Sequence, residues 1–270
     1  MPEAGSLLAL LADGETPVEP AVLVVAAHPD DEVIGLGAQL ARFRDITLLH
    51  ATDGAPRDGH DVAMHGFADA ASYAAARRRE LVAALALAGI TADRALTCDI
   101  PDQQATLRLA ELTREVAARI SVLRPAALIT HAYEGGHPDH DATAFAVHAA
   151  LRLADGPQPA LLEMAGYHAG PQGMETGCFL PVAEDMAICL AIPPKARARK
   201  QRMIACFATQ QRVLAEFPID VEMLRPAPRY DFTRPPHPGR LHYENYPWGM
   251  TGEVFRGMAA KASQALGLGR

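Results

Sequence analysis

Residues 21–32 read Ala-Val-Leu-Val-Val-Ala-Ala-His-Pro-Asp-Asp-Glu. The apolar run Ala21–Ala27 is short, uninterrupted and rich in β-branched residues, which predicts a strand buried on both faces. It ends abruptly in His28-Pro29-Asp30-Asp31-Glu32. Asp31–Arg44 then has helical character, with acids in the first turn where the helix dipole favours them. Working outward, the pattern repeats. Ile46–Ala51 predicts a second strand, stopped by Thr52-Asp53-Gly54, and Ala55–Asp69 a polar loop carrying His60 and His65. Ser72–Leu87 predicts a helix closed by Gly89, and Arg94–Ile100 a third strand followed by Pro101-Asp102. Leu107–Leu123 has helical spacing, Ala126–His131 is a fourth apolar strand, Tyr133–Asp141 a loop and Ala142–Leu153 an Ala-rich helix. Strand and helix in alternation predict an α/β, Rossmann-like, mostly parallel sheet with helices on both faces.

The flanking regions differ. Met1–Pro20, with prolines at 17 and 20, reads as a short N-terminal arm. Ala160–Tyr167 and Asp185–Ile192 read as strands, Lys195–Glu216 as a long basic helix with a solvated face. Phe217–Pro247 is dense in Pro, Arg and aromatic residues and predicts irregular structure, before a final helix within Met250–Leu266. The expected organisation is one domain over 1–270, with a core at about 21–192 and a less regular C-terminal extension at about 193–270.

Composition narrows the function. The chain has 270 residues, 25 Lys+Arg against 32 Asp+Glu, and a formal net charge of −7. That balance disfavours a duplex nucleic-acid binder, which needs a basic surface. No apolar run approaches the roughly 20 residues that span a bilayer, and the N-terminal stretch lacks the cationic and apolar pattern of a signal peptide. Cys98, Cys178, Cys189 and Cys206 include no CxxC pair, so neither a Cys-based zinc site nor a disulfide framework is expected, and a cytoplasmic setting is. Eleven histidines remain to be explained.

Two polar clusters follow apolar strands: His28-Pro29-Asp30-Asp31-Glu32 and His137-Pro138-Asp139-His140. Both fall at strand carboxyl ends, where open α/β sheets bind ligands. Imidazole and carboxylate suit a catalytic zinc when thiolate is absent. His28 and Asp31, three apart, can face one ion as strand turns to helix, and His140 is the best distant third ligand. Asp30 is then free to act as a base. His137 stands near the metal without binding it, with Asp139 placed to orient it.

AAHPDDE after an apolar strand and a later GGHPDH resemble the LmbE/PIG-L family of metal-dependent N-deacetylases. Thr52-Asp53-Gly54, Arg77-x-x-Glu80 and Ile100-Pro101-Asp102 fit the same layout. The resemblance covers roughly Val22–Ala150 and is diffuse beyond, limited to a basic helix ending in Gln210-Gln211. It implies removal of an acetyl group from an N-acetylglucosamine-type conjugate. It implies His28, Asp31 and His140 as ligands of Zn2+ (iron or cobalt could also fit), Asp30 as general base, and a protonated His137, tuned by Asp139, at the oxyanion. Arg77 is the choice for a substrate anion, from its spacing to Glu80, and Asp102 for sugar hydroxyls. Certain sugar-thiol deacetylases carry a Tyr where Gly135 or Gly136 sits, and Tyr133 is its nearest substitute. The aromatic C-terminal region, with His237, His242, Tyr243 and Trp248, suits a lid or a homo-oligomer interface.

Three rivals remain. A metallohydrolase of a non-sugar amide or ester would share the motifs. A nucleotide-binding module would share the fold, but no GxGxxG follows Val22–Ala27 and the acidic turn would repel a pyrophosphate. A binding protein that had lost activity would not need five intact polar residues in two clusters.

Overall fold

A computed structural model describes residues 4–181 and 186–269. In chain order its elements are α1 (Ala4–Ala12), β1 (Val22–Ala26), α2 (Asp31–Leu36), β2 (Ile46–Pro56), α3 (His60–Met64), α4 (Ala70–Ala86), β3 (Ala95–Asp102), α5 (Leu109–Leu123), β4 (Ala127–His131), α6 (Pro138–Leu153), β5 (Ala160–Met164), β6 (Tyr167–Gly170), β7 (Gly173–Thr176), β8 (Ile188–Ala191), α7 (Pro194–Ala205), α8 (Gln211–Leu214), β9 (Val221–Pro226) and α9 (Gly252–Ala265). Among the described residues one seven-stranded sheet runs β3-β2-β1-β4-β5-β9-β8, and β6 and β7 pair separately as a hairpin.

The first five strands are mutually parallel, and β9 is antiparallel to both β5 and β8. Strand order reverses between β1 and β4, which opens a crevice above their carboxyl ends. β1 is buried throughout, as its composition requires. Val22, Val24 and Ala26 pack into one core with residues of α1, α2, α4 and α7, while Leu23 and Val25 face a second core with α5, α6 and α9. The mostly parallel α/β sheet is therefore the observed architecture.

Several elements depart from expectation. The N-terminal arm holds α1, whose Leu7, Leu8 and Leu11 enter the core. The helix expected over Asp31–Arg44 stops at Leu36 and resumes only as a 3-10 turn, Leu40–Arg42, after a segment weakened by Gly35 and Gly37. The strand expected over Ala160–Tyr167 is divided between β5 and β6. β8 begins at Ile188, and Asp185, the expected start, lies outside the described residues. The long basic helix is interrupted after α7. Glu80 of α4 takes the N–H of Thr209 at 3.0 Å and its hydroxyl at 2.6 Å, which draws the chain out of helical register.

The expected irregular region contains β9, inserted between β5 and β8. Its charged residues are buried in pairs. Glu222 meets Lys200 Nζ at 3.0 Å and accepts the Ala38 N–H at 2.8 Å, and Arg225 Nε meets Glu163 at 2.9 Å. Lys200 is 0% exposed, so the basic helix is not solvated all round. No helix among the described residues is long and apolar enough to cross a membrane.

Lys200→Met leaves Glu222 buried without its cation, a change that typically costs about 3–5 kcal/mol. Denaturant unfolding of Lys200→Met, and of the double variant with Glu222→Leu, should show the double variant recovering most of that loss.

Candidate metal centre and its cavity

The turn after β1 is built by its own side chains. The backbone N–H of His28 donates to Asp31 Oδ2 at 2.7 Å, and the N–H of Asp30 donates to Glu32 at 3.2 Å. The Asp30 carbonyl accepts from Val33 and Ile34 at 2.9 and 3.0 Å, starting α2. Glu32 is fully buried and meets His50 Nε2 of β2 at 2.9 Å, so it anchors the turn rather than facing the crevice. Asp30 itself has φ 152° and ψ −25°, a conformation that non-glycine residues rarely adopt. Such backbone strain costs on the order of 1–3 kcal/mol and persists only where the surroundings over-determine it.

Asp31 then gathers three imidazoles. Its Oδ1 lies 3.2 Å from His140 Nε2, and its Oδ2 lies 3.3 Å from both His28 Nδ1 and His131 Nε2. The donor atoms of His28, Asp31 and His140 all fall within 4.8 Å of one another. Donors bound tetrahedrally to zinc at about 2.0–2.1 Å stand roughly 3.3 Å apart. His140 and His28 each stand at about that distance from an oxygen of Asp31, though from different ones, so the donor set suits the ion in type and span. Burial opposes charge on Asp31, yet His140 holds its carboxyl well below the usual range. Burial would also depress His28, but Asp102, Asp139 and Asp31 raise it well above. Its Nε2 edge meets Asp102 at 3.1 Å and Asp139 at 3.5 Å, leaving Nδ1 toward Asp31. Carboxylates behind a ligating imidazole serve to fix its orientation.

The remaining expected residues surround these donors. Burial pushes the Asp30 carboxyl up to about 7, against the opposing pull of Arg77. Arg77 NH2 meets Asp30 Oδ2 at 3.1 Å, and its Nε and NH1 are buried without a hydrogen-bond partner among the described residues. The relation to Glu80 that singled out Arg77 in the sequence is not a contact with it, because Glu80 turns to Thr209. Gly54 explains the Thr-Asp-Gly motif: at φ +65, a Cβ there would stand 2.8 Å from Arg77 Nε and 2.9 Å from Pro29 Cδ. His137 caps α6, its Nδ1 accepting the Asp139 N–H at 3.1 Å. Burial, then repulsion from His28, holds it well below its usual pKa. It is thus a neutral imidazole with hydrogen on Nε2, not the expected cation. The carboxylate of Asp139 does not orient His137; it accepts from Gln103 N at 2.6 Å and Ala105 N at 3.0 Å, and faces His28. Asp102 lies between the two histidines, 3.8 Å from His137 Nε2.

These groups line one cavity of about 800 Å³, whose walls include Ile34, Met64, Tyr167, Phe217 and Trp248. Two of its neighbours carry no assigned role in the sequence reading. His131 stacks on His140 at 4.0 Å, and its Nε2 accepts the Ala27 N–H at 2.9 Å. Burial and then His140 lower it to about 4, so it is neutral. Its signal was faint, a histidine closing an apolar strand. Tyr167 sets its ring edge-on to His140 at 5.2 Å, and nothing in the sequence marked it. Tyr133 does not take the aromatic role considered for it: its hydroxyl donates to the Arg234 carbonyl at 2.9 Å within the core. Gly136 instead makes room for the later chain, since a Cβ there would lie 2.0 Å from the Tyr167 carbonyl oxygen. Trp248 packs on His137 at 5.0 Å and stacks on Tyr246 at 4.5 Å. His242 also lines the cavity, whereas Tyr243 is core and His237 lies off the cavity wall.

The profile of the PIG-L family, described as GlcNAc-PI de-N-acetylase, matches residues 23–151. Over 142 residues the chain is 34% identical to 1D-myo-inositol 2-acetamido-2-deoxy-alpha-D-glucopyranoside deacetylase 2 of Catenulispora acidiphila, covering 44% of this chain and 47% of that one. A protein of the same description, without the final number, from Nakamurella multipartita is 28% identical over 257 residues, 79% of this chain and 88% of that one. The aligned stretch spans about half the length of the first of these curated relatives. Among solved structures, an A40926 pseudoaglycone deacetylase superposes with a TM-score of 0.61 at 20% identity, over 78% of this chain and 98% of the other, which shows a shared fold.

Gly54→Ala should displace the guanidinium that holds Asp30 and strain the turn, costing on the order of 1–3 kcal/mol. Urea unfolding measures it, and an unchanged midpoint would show that Arg77 has room to move.

Proposed function

We propose, for a chain whose residues 23–151 form a PIG-L family domain, that it is a zinc-dependent hydrolase removing the N-acetyl group from an N-acetylglucosamine-type conjugate. The observation that carries this reading is the convergence of His28, Asp31 and His140 on one point, with Asp30 and His137 beside it, at the wall of the cavity. The similarity to deacetylases of acetylated amino sugars supports the substrate class.

His28, Asp31 and His140 would hold the ion. When bound, such an ion supplies an activated water and a Lewis acid for the acetamide carbonyl. Asp30 accepts the proton of the attacking water: its carboxyl, raised to about 7, is matched to proton transfer near neutrality. Arg77 positions that carboxylate through the contact at 3.1 Å, and the residue also belongs to the cavity wall. His137 donates its Nε2–H to the developing oxyanion, an arrangement preorganised because its other nitrogen is fixed by the N-terminus of α6. Asp102 and Asp139 hold the far edge of His28. Asp102 also lines the cavity, where its carboxylate can accept from a sugar hydroxyl. Trp248, Tyr246 and Tyr167 offer ring faces and edges to the sugar and to what it is attached to.

Acetate release from a panel of N-acetylglucosamine conjugates is the direct test, with simple acetylated peptides and esters beside it. Release from the amino sugars alone is the expected result. Release only from the peptides or esters would instead indicate a metallohydrolase of another substrate class. Asp30→Ala should keep the metal and lose roughly 10²–10⁴ in kcat. His137→Ala should lose about 10²–10³ in kcat with the metal retained. His28→Ala and His140→Ala should each lose metal, read by elemental analysis. A near-native rate for Asp30→Ala would remove that residue from the role of base.

A further inference from the structure

The hairpin of β6 and β7 has two faces, and only one belongs to the cavity. Tyr167 and Met174 line the cavity. His168 and Glu175 are register partners, and strand alternation puts them on the opposite face. Just past β7, the N–H of Gly177 donates to the Gly166 carbonyl at 2.8 Å, which closes the base of the hairpin and returns Cys178 toward His168. The Cys178 Sγ stands 3.8 Å from His168 Nε2, and one donor atom from each of His168, Glu175 and Cys178 falls within a 4.8 Å cluster.

We propose that His168, Glu175 and Cys178 form a second site for a borderline-soft divalent metal ion of the zinc class, separate from the His28/Asp31/His140 centre.

Three features support it. The first is tautomer. His168 Nδ1 lies 3.1 Å from the Ala169 carbonyl oxygen, which can only accept, so the ring hydrogen is on Nδ1 and the Nε2 lone pair points at Cys178. A backbone carbonyl behind the distal nitrogen is the usual support of a ligating imidazole. The second is spacing. Zinc bonds of about 2.3 Å to sulfur and 2.0–2.1 Å to nitrogen, at a tetrahedral angle, separate the two atoms by roughly 3.6 Å. The observed 3.8 Å needs little adjustment. The third is access. His168 is buried and held, Cys178 half-buried, and Glu175 exposed, so a cation can arrive from solvent and be closed in from one side. Burial, and then the carboxylates of Glu175 and Glu134, push the Cys178 thiol up, a negative field that a cation relieves. On binding, the Cys178 thiol releases its proton to solvent and its sulfur takes the metal, while His168 and Glu175 bind as neutral imidazole and carboxylate. An ion there would brace the hairpin whose other face carries Tyr167 to His140.

The test uses the full chain stripped of metal by a chelator and titrated with Co2+. A thiolate-to-cobalt charge-transfer band in the near ultraviolet should grow to saturation at one equivalent of that site. It should persist in His140→Ala, which separates this site from the proposed catalytic one. Cys178→Ser should abolish the band. Glu175→Gln, an exposed change that leaves the fold intact, should weaken the cobalt affinity read from the band at least ten-fold. Absence of the band in the wild-type chain, its survival in Cys178→Ser, or an unchanged affinity in Glu175→Gln would each overturn the assignment and leave only a thiol–imidazole hydrogen bond.

Discussion

One carboxylate organises the crevice. Asp31 accepts a backbone N–H from His28 at 2.7 Å and stands within 3.3 Å of the imidazoles of His28, His131 and His140. These residues come from two separated stretches of chain, one after β1 and one spanning β4 to α6. Four polar groups this close could not be buried unless their charges and hydrogen bonds answered one another. Asp31 is therefore structural and chemical at once: it closes the first turn and faces the point where an ion would sit. The strained backbone of Asp30 follows from the same turn. Hydrogen bonds tie His28 to Asp31 across it and its own N–H to Glu32, so the conformation at φ 152° is imposed on it.

Behind this crevice lies a second tier of buried charge. Glu32 with His50, Lys200 with Glu222, and Arg225 with Glu163 and Glu134 each tie a site-bearing segment to an element farther out. Such pairs add little net stability compared with apolar packing, but breaking one is expensive. Their effect here is positional. The loop before α6 is held through Glu134 to Arg225 of β9, and the end of α2 through Ala38 and Glu222 to the same strand.

The part of the fold legible in the sequence was the part coded by neighbouring residues. Ala21–Ala27 is apolar because β1 is covered on both sides, and the two His/Asp clusters announce themselves because each ends a strand within a few residues. β9 was hidden for a physical reason. Its Glu222 and Arg225 look solvated in sequence, and only the fold supplies the Lys200 and Glu163 that allow them inside. The same applies around the crevice. His28, Asp31 and His140 are read from motifs, whereas Tyr167 and Trp248 arrive from a hairpin and an irregular segment with no local pattern of their own. Asp139 shows the limit of spacing arguments. Two residues from His137, it was expected to orient that ring, yet the helix start turns its carboxylate toward His28 and leaves only its N–H for His137.

The antiparallel β9 also sets an order of events during synthesis. The parallel strands β1 to β5 can pair as soon as they leave the ribosome, but among the described residues β8 has no neighbour in the sheet except β9. Until Arg225 has emerged, β5 presents an open edge and Glu163 and Glu134 lack their cation. The nascent chain thus passes through a stage in which the sheet is unfinished and the loop carrying His137 is untethered, the stage at which edge pairing with other chains is easiest. A chaperone that shielded β5 during that interval would guard the loop before α6 as well as the sheet.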